Sequence, residues 1–438
     1  MVAPLSQSSN NSTGMSGYTS ACGSDASTSA YVGTQQLAVL PGCSSSGMGE
    51  IQKSTGSTKF GGSATYTLGA DVDVHSEIHY TYSLPTPDTS GTPTIVWKYM
   101  VGLHIIKDVT IKVGTSEWEK IDQASMLAMA QLEMTTAEYD QWCIGLSGLD
   151  NEPSAVTSAE PGTPTSPAGG YTVCGGKLMC CVKGGYRGQL FVAAMPYQSV
   201  TVKINFSTAA ACSAPTTTAF GNNFDFALYT KQHILSPYER GLMQSTDILQ
   251  LLSTTQYYTT KIPSGTSVTL DAINLSFLDE YCTHVAVWVS ENSKTNLGGG
   301  VGAGAVGDSL PLLDKCEFIY NGTSAQGQQR SPILVNSNMT GLAMGGVGPK
   351  YVAGVIKQNP NIQVFQLANT PCVTSLSTSH SQFAPFAGGD GVANNRYDVI
   401  QFKANITTAA ASPSAWNIHF VAFGAQSVLY SAGGAIKN

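Results

Sequence analysis

The chain has 438 residues, more than a single hydrophobic core usually serves, so two domains of roughly 200 residues each are expected. Charged residues make up only 11% of it, against about 25% in average soluble domains, a composition suited to a surface that mostly faces other protein. The net charge is −7 and the first basic residue is Lys53, which excludes the basic arm that neutralises nucleic-acid phosphates.

Met1 to Glu50 is a polar Ser/Gly/Thr tract with neither a signal-peptide pattern nor a membrane-spanning run. Residues 1–50 read as a nearly uncharged, extended N-terminal arm. Strand-like alternation then begins. Val74, Ser76, Ile78, Tyr80 and Tyr82 share one parity, and His75, Glu77, His79 and Thr81 the other. Val109, Ile111 and Val113 alternate with Thr110 and Lys112, and Val200, Val202, Ile204 and Phe206 with Thr201, Lys203 and Asn205. Later, Val285, Val287 and Val289 flank Ala286 and Trp288, and Ile418, Phe420 and Ala422 alternate with His419, Val421 and Phe423.

Turn-rich stretches separate these runs at 85–93, 151–170, 207–223, 298–307 and 383–395. Helix signals are few: Asp122 to Leu132, and Ser236 to Leu252, where Ser236-Pro237 supplies an N-cap and a first-turn proline. Short strands, long loops and rare helices predict an all-β sandwich or jelly-roll architecture. The uncharged segment Ser207 to Asn223 is the best linker, so the expected domains are 51–211 and 212–438.

Three residues carry the sharpest chemical hint. His75, Glu77 and His79 at alternate strand positions could present ligands to one divalent metal, which makes a cupin-like metalloenzyme the alternative reading. The bland reading is a solvated strand face, and no catalytic, cofactor or metal residue is assigned. Gly298 to Gly304 lacks the Lys-Ser/Thr of a phosphate loop. The ten cysteines, including Cys180-Cys181, have no CxxC or zinc spacing and read as buried apolar residues. Sequons at Asn10, Asn11, Asn205, Asn274, Asn321, Asn338 and Asn405 leave glycans open and keep a secreted lectin or adhesin as a third reading.

The order of segments resembles the major capsid proteins of nucleo-cytoplasmic large DNA viruses. The run from Trp97 to Gly148, WKYMVGLHIIKDVTIKVGTSEWEKIDQASMLAMAQLEMTTAEYDQWCIGLSG, is similar to that family's tryptophan, strand, glycine turn and helix. Leu190 to Phe206 looks like the end of its first jelly roll, and Phe226 to Ile262 like the opening of its second. Ile418 to Asn438 looks like its closing strand and Gly-rich tail. The sequence departs from the family at a reduced arginine run, here Arg240, and a reduced aromatic-proline segment, here Met195-Pro196-Tyr197, so a minor capsid paralogue is also an alternative.

The resemblance implies two consecutive eight-stranded jelly rolls with short helical insertions. It further implies a non-enzymatic shell subunit, located in the virion and assembled in the host cytoplasm, that forms homotrimers with pseudo-hexagonal outline. The implied partners are the chain itself, neighbouring capsomers, minor capsid proteins and a membrane under the shell, with no direct nucleic-acid contact.

Overall fold

The computed structural model describes residues 31–32, 35–36, 45–84, 96–97, 100–134, 136–147, 174–184, 188–214, 224–262, 267–275, 282–291, 312–320, 323–324, 351–352, 355–356, 363–366, 400–407, 416–431 and 433–437. The loops expected at 85–93, 151–170, 298–307 and 383–395, and the arm up to residue 30, lie outside them.

The first half of the chain supplies β1 (Ser45–Ile51), β2 (Lys53–Gly56), β3 (Ser63–Thr67), β4 (Val74–Ser83) and β5 (Ile106–Val113). It continues through β6 (Ser116–Asp122), β7 (Cys174–Lys177), β8 (Leu190–Phe191), β9 (Val200–Phe206) and β10 (Asp225–Ile234). One sheet runs β7-β4-β10-β1 with β8 on β4, and a second runs β2-β3-β9-β5-β6. Both are antiparallel along the pairings that join these strands.

Alternation decides how the two sheets face each other. Ile78, Tyr80, Phe226 and Leu228 of the first sheet and Tyr66, Ile111, Val202 and Ile204 of the second are all buried in one core. Phe206 and Tyr66 meet Phe226 across the gap with ring centroids 5.1 and 6.3 Å apart. Such aromatic contacts add about 1 kcal/mol each to the burial itself.

Helices α1 (Val101–Ile105), α2 (Gln123–Glu133) and α3 (Thr136–Ser147) cover one end of this sandwich. Tyr80 and Tyr82 reach them with their hydroxyls, donating to Gly102 O at 3.1 Å and Leu146 O at 2.7 Å. These bonds satisfy phenol groups that would otherwise be costly inside the core. Asp122 caps α2 by accepting from Ser125 N at 2.8 Å.

The second half forms β11 (Ile248–Ile262), β12 (Ser267–Asn274), β13 (Cys282–Glu291) and β14 (Leu312–Tyr320). Then follow β15 (Gln363–Gln366), β16 (Ile400–Thr407), β17 (Trp416–Ser431) and β18 (Gly434–Lys437). The order β11-β17-β13-β15, with β18 on β17, makes a large sheet, and β12-β16-β14 lies in a smaller one. Val285, Val287, Ile418 and Phe420 of the large sheet pack with Phe318, Phe402 and Ala404 of the small one in a second core.

One expectation is corrected by these pairings. The second predicted helix, Ser236 to Leu252, is shorter: α4 spans Pro237–Ser245, and Ile248 already starts β11. The residues from Leu249 on, LQLLSTTQYYTT, are rich in Thr and Tyr, and pairing with β17 in a register that runs from Ile248 to Ile262 outweighs the helix propensity of Leu and Gln. The strand after Ser207 to Asn223, β10, pairs with β4 on one side and β1 on the other. The same pairing places Ser45 to Glu50 at a sheet edge.

Candidate functional site

The sequence placed His75, Glu77 and His79 on one strand face; the structure sets His75 apart from the other two. The register between β4 and β10 shifts between Lys231 and Gln232: Lys231 faces Glu77 while Gln232 faces His75, which leaves Ser76 as the extra residue of a β-bulge. The bulge turns His75 inward. Its ring is fully buried, with Nδ1 3.3 Å from Thr230 Oγ1 and Nε2 3.3 Å from Gly69 O. Glu77 stays on the outer side, where its oxygens lie 3.3 Å from His79 Nε2 and 3.3 Å from Lys177 Nζ. Burial pushes the His75 imidazole below its ordinary range, whereas His79 and Lys177 hold the Glu77 carboxyl down against the opposing effect of burial. The three do not converge on a point, so the ligand set of the cupin-like reading is dissolved.

Cys180 and Cys181 are fully enclosed, as expected, and burial pushes the Cys180 thiol far up. Asn205 lies within β9 and donates through Nδ2 to Asp108 Oδ1 at 2.5 Å, so its sequon nitrogen is engaged in the fold.

What the structure does bring together is the seam between the two sandwiches. β13 over Val285–Val289 and β17 over Phe420–Phe423 are apolar at both parities, the mark of a strand buried on both faces. Val285, Val287, Val289, Ile418 and Phe420 point into the second core, while Ala286, Trp288, Val421 and Phe423 join the continuous core that includes the first sandwich. The large sheet therefore serves two cores at once.

Polar contacts fix the seam's register. Glu119 of β6 is 4% exposed and accepts from Thr255 Oγ1 of β11 at 2.7 Å and from Cys181 N at 2.5 Å. Gln250 Nε2 donates to Gln189 O at 2.9 Å, and Tyr430 donates to Gln250 Oε1 at 2.8 Å while its ring meets Phe191 edge-on. Past the Gly433 turn, Ala435 N donates to Gln198 Oε1 at 2.8 Å. The backbone at Gly433 has φ +78°, and a side chain there would strike the Tyr197 ring, so glycine is required on both counts.

A second junction orients α4. Asp73, 4% exposed at its side chain, accepts from Leu235 N at 2.7 Å and from Arg240 Nε and Nη2 at 2.7 and 3.0 Å. Ser236 and Glu239 form a reciprocal capping box at the start of the helix. These contacts set the direction in which the chain leaves β10 for β11.

His419 stacks on Trp288, with centroids 5.2 Å apart and planes 9° from parallel, and bonds to the Tyr257 hydroxyl at 2.8 Å. Burial pushes its pKa down to about 4. A pKa lowered below the unfolded value of about 6.5 contributes stability that is present above that value and is lost as pH falls toward 4. Burial raises Glu119 and acts in the opposite sense, so the contribution of His419 is read by difference. His419→Phe is expected to flatten the acid-side fall in melting temperature between pH 6.5 and 4. An unchanged slope would show that the ring titrates normally.

Sequence reasoning missed Glu119, Thr255 and Asp73, whose partners are far away along the chain. The apolar pattern at both parities in Val285–Val289 was the available signal for the shared sheet.

No protein-family model matches the chain, and no curated protein matches it in sequence. Solved structures do match. VP54 of PBCV-1, in a crystal structure fitted into a reconstruction of the virophage Sputnik, aligns over 90% of this chain and 96% of its own, with TM-score 0.67 and 13% identity. The Faustovirus major capsid protein covers 88% of this chain and 90% of its own, with TM-score 0.55 and 9% identity. For the mavirus major capsid protein the figures are 89% and 90%, TM-score 0.50 and 12% identity. Two antiparallel sandwiches in series, joined across a shared sheet, give this chain the double jelly-roll fold of those viral capsid proteins.

Proposed function

We propose that this chain is the major capsid protein of an icosahedral large DNA virus, with three copies forming a pseudo-hexagonal capsomer. The observation that carries the reading is the shared sheet: two sandwiches joined by a sheet whose residues are buried in both cores. Three such bodies in a closed ring present six sandwiches, and a heterologous trimer interface closes on itself without leaving an open end. The role needs no catalysis; strength comes from many copies with modest contacts each. Because a fold does not fix a function, the proposal stands on its test.

The two rolls divide, in this reading, between Ile234 and Ile248, with α4 as the connection. Partners are other copies, neighbouring capsomers, minor capsid proteins and a membrane beneath the shell; the chain's negative charge gives no basis for direct contact with the genome. Tyr197, Tyr238 and Ile436 are 86%, 72% and 60% exposed, and Tyr197 N is bonded to Gly433 O just before β18. Large exposed apolar side chains of this kind suit such protein contacts.

Copy number separates the major role from that of a minor paralogue. In particles purified from infected host cytoplasm, this chain is expected to be the most abundant protein of the shell. A few copies per particle would instead assign it to the minor class.

A further inference from the structure

Charge is unevenly placed on this chain. Between Ile121 and Gly176 it carries seven acidic residues and no Lys, Arg or His, and Glu138 of α3, within that stretch, is exposed. The outer face of the second sheet has the opposite sign. Lys203 of β9 pairs with Thr110 of β5, and Thr110 pairs with Lys120 of β6, so both lysines stand in one row. With neighbouring strands about 4.8 Å apart, their stems are about 10 Å from each other. Lys112 lies two residues along from Thr110 on the same face, opposite Thr201. The other parity of these strands, Val109, Ile111, Val202 and Ile204, is buried in the first core, which leaves the lysines pointing outward. All three are exposed, and none forms an ion pair with a described residue. The carboxylates of β5 and β6 do not cancel them. Asp108 accepts from Asn205 Nδ2, Asp122 caps α2 and Glu119 is buried, so Glu117, opposite Lys112, is the one exposed acid of these strands.

We propose that this lysine face docks against an acidic surface of a second copy of the chain, as the charged half of a head-to-tail contact. The inference rests on the capsomer reading above and names a surface for it. Copies that each carry a net charge of −7 repel one another unless opposite charges are brought together. A basic face on one copy and acidic residues at a different place on the next provide that match. Two different patches are also what a heterologous ring contact uses, and complementary charge at its rim fixes the register of docking. Thr65 and Thr201 flank the lysines with short side chains, which lets a partner approach the sheet closely.

Light scattering of the full chain across a salt series reads the contact. Association of the wild type is expected to weaken as salt is raised, because the paired charges are screened. Lys112→Glu, Lys120→Glu and Lys203→Glu together should weaken it about tenfold or more at low salt, with the circular-dichroism spectrum unchanged. The neutral set Lys112→Gln, Lys120→Gln and Lys203→Gln should fall between. Lys231→Glu, Lys261→Glu and Lys403→Glu place the same change of net charge on the other three sheets and should leave association much nearer that of the wild type. Equal weakening by the two Glu sets would overturn the proposal, and so would undiminished association of the lysine-face variants. Flotation with phosphatidylserine vesicles addresses the other acidic partner. Wild-type binding that the lysine-face set abolishes while oligomerisation stays intact would assign the face to a membrane and overturn the proposal. A wild-type chain that never associates sinks the capsomer reading together with this one; assembly that ignores the lysine face sinks this one alone.

Discussion

Trp288→Ala is expected to lower the stability of the subunit by about 4 kcal/mol, within the range found when a buried aromatic is truncated and its cavity stays open. Trp288 is 1% exposed on the face of β13 that joins the first sandwich's core, while its neighbours Val287 and Val289 face the second core. The backbone that would have to move to fill the cavity is bound by β17 at Trp288 itself and by β15 on the other edge up to Val287. Collapse is therefore resisted and the cavity term is retained. Urea denaturation followed by circular dichroism reads the loss as a shift of midpoint. The same substitution uncovers one face of His419, so the imidazole pKa should rise from about 4 toward its ordinary range. A loss under about 1 kcal/mol, outside the range for buried tryptophan, would mean that the shared face is not packed as described.

Asp73→Ala comes second, with an expected loss of about 3 kcal/mol. The carboxylate holds three donors, and its removal leaves the Leu235 N–H without its acceptor inside the protein. A buried donor left unsatisfied costs about 1–3 kcal/mol, and hydrogen bonds to a charged group lie at the strong end of the scale. Arg240 is 43% exposed at its side chain, so water recovers much of its hydrogen bonding. Arg240→Ala should consequently cost clearly less than Asp73→Ala. Equal losses would place the energy in the ion pair rather than in the Leu235 contact. Thermal denaturation of the two variants side by side settles the order.

The sequence made the strand framework legible where one face met water or where apolar runs were dense. Val200 to Phe206 alternates cleanly and is found as β9 with the same limits. The start of α4 was readable from Ser236-Pro237, because a cap and a first-turn proline are local chemistry. Its end was not, since Ile248 to Leu252 owe their strand state to β17, which is remote in sequence. The partners of β10 were equally out of reach. Composition marked Ser207 to Asn223 as a linker, but only partner strands reveal that β10 belongs between β1 and β4.

The candidate metal face failed through a single residue. Alternation assumes an unbroken pleat, and the bulge at Ser76 sends His75 to Thr230 while Glu77 and His79 remain outside. The seam was partly legible. Val285, Ala286, Val287, Trp288 and Val289 carry no polar parity, which already implies two covered faces. That Glu119 would meet Thr255 from the other sandwich is information held only by the folded arrangement.

The claim that this chain is a capsomer subunit is tested most directly by the mass of the purified protein in solution, measured by light scattering. A stable species of three times 45.8 kDa, unchanged on dilution, is the predicted result. A monomer at every concentration up to that of assembling particles would contradict it.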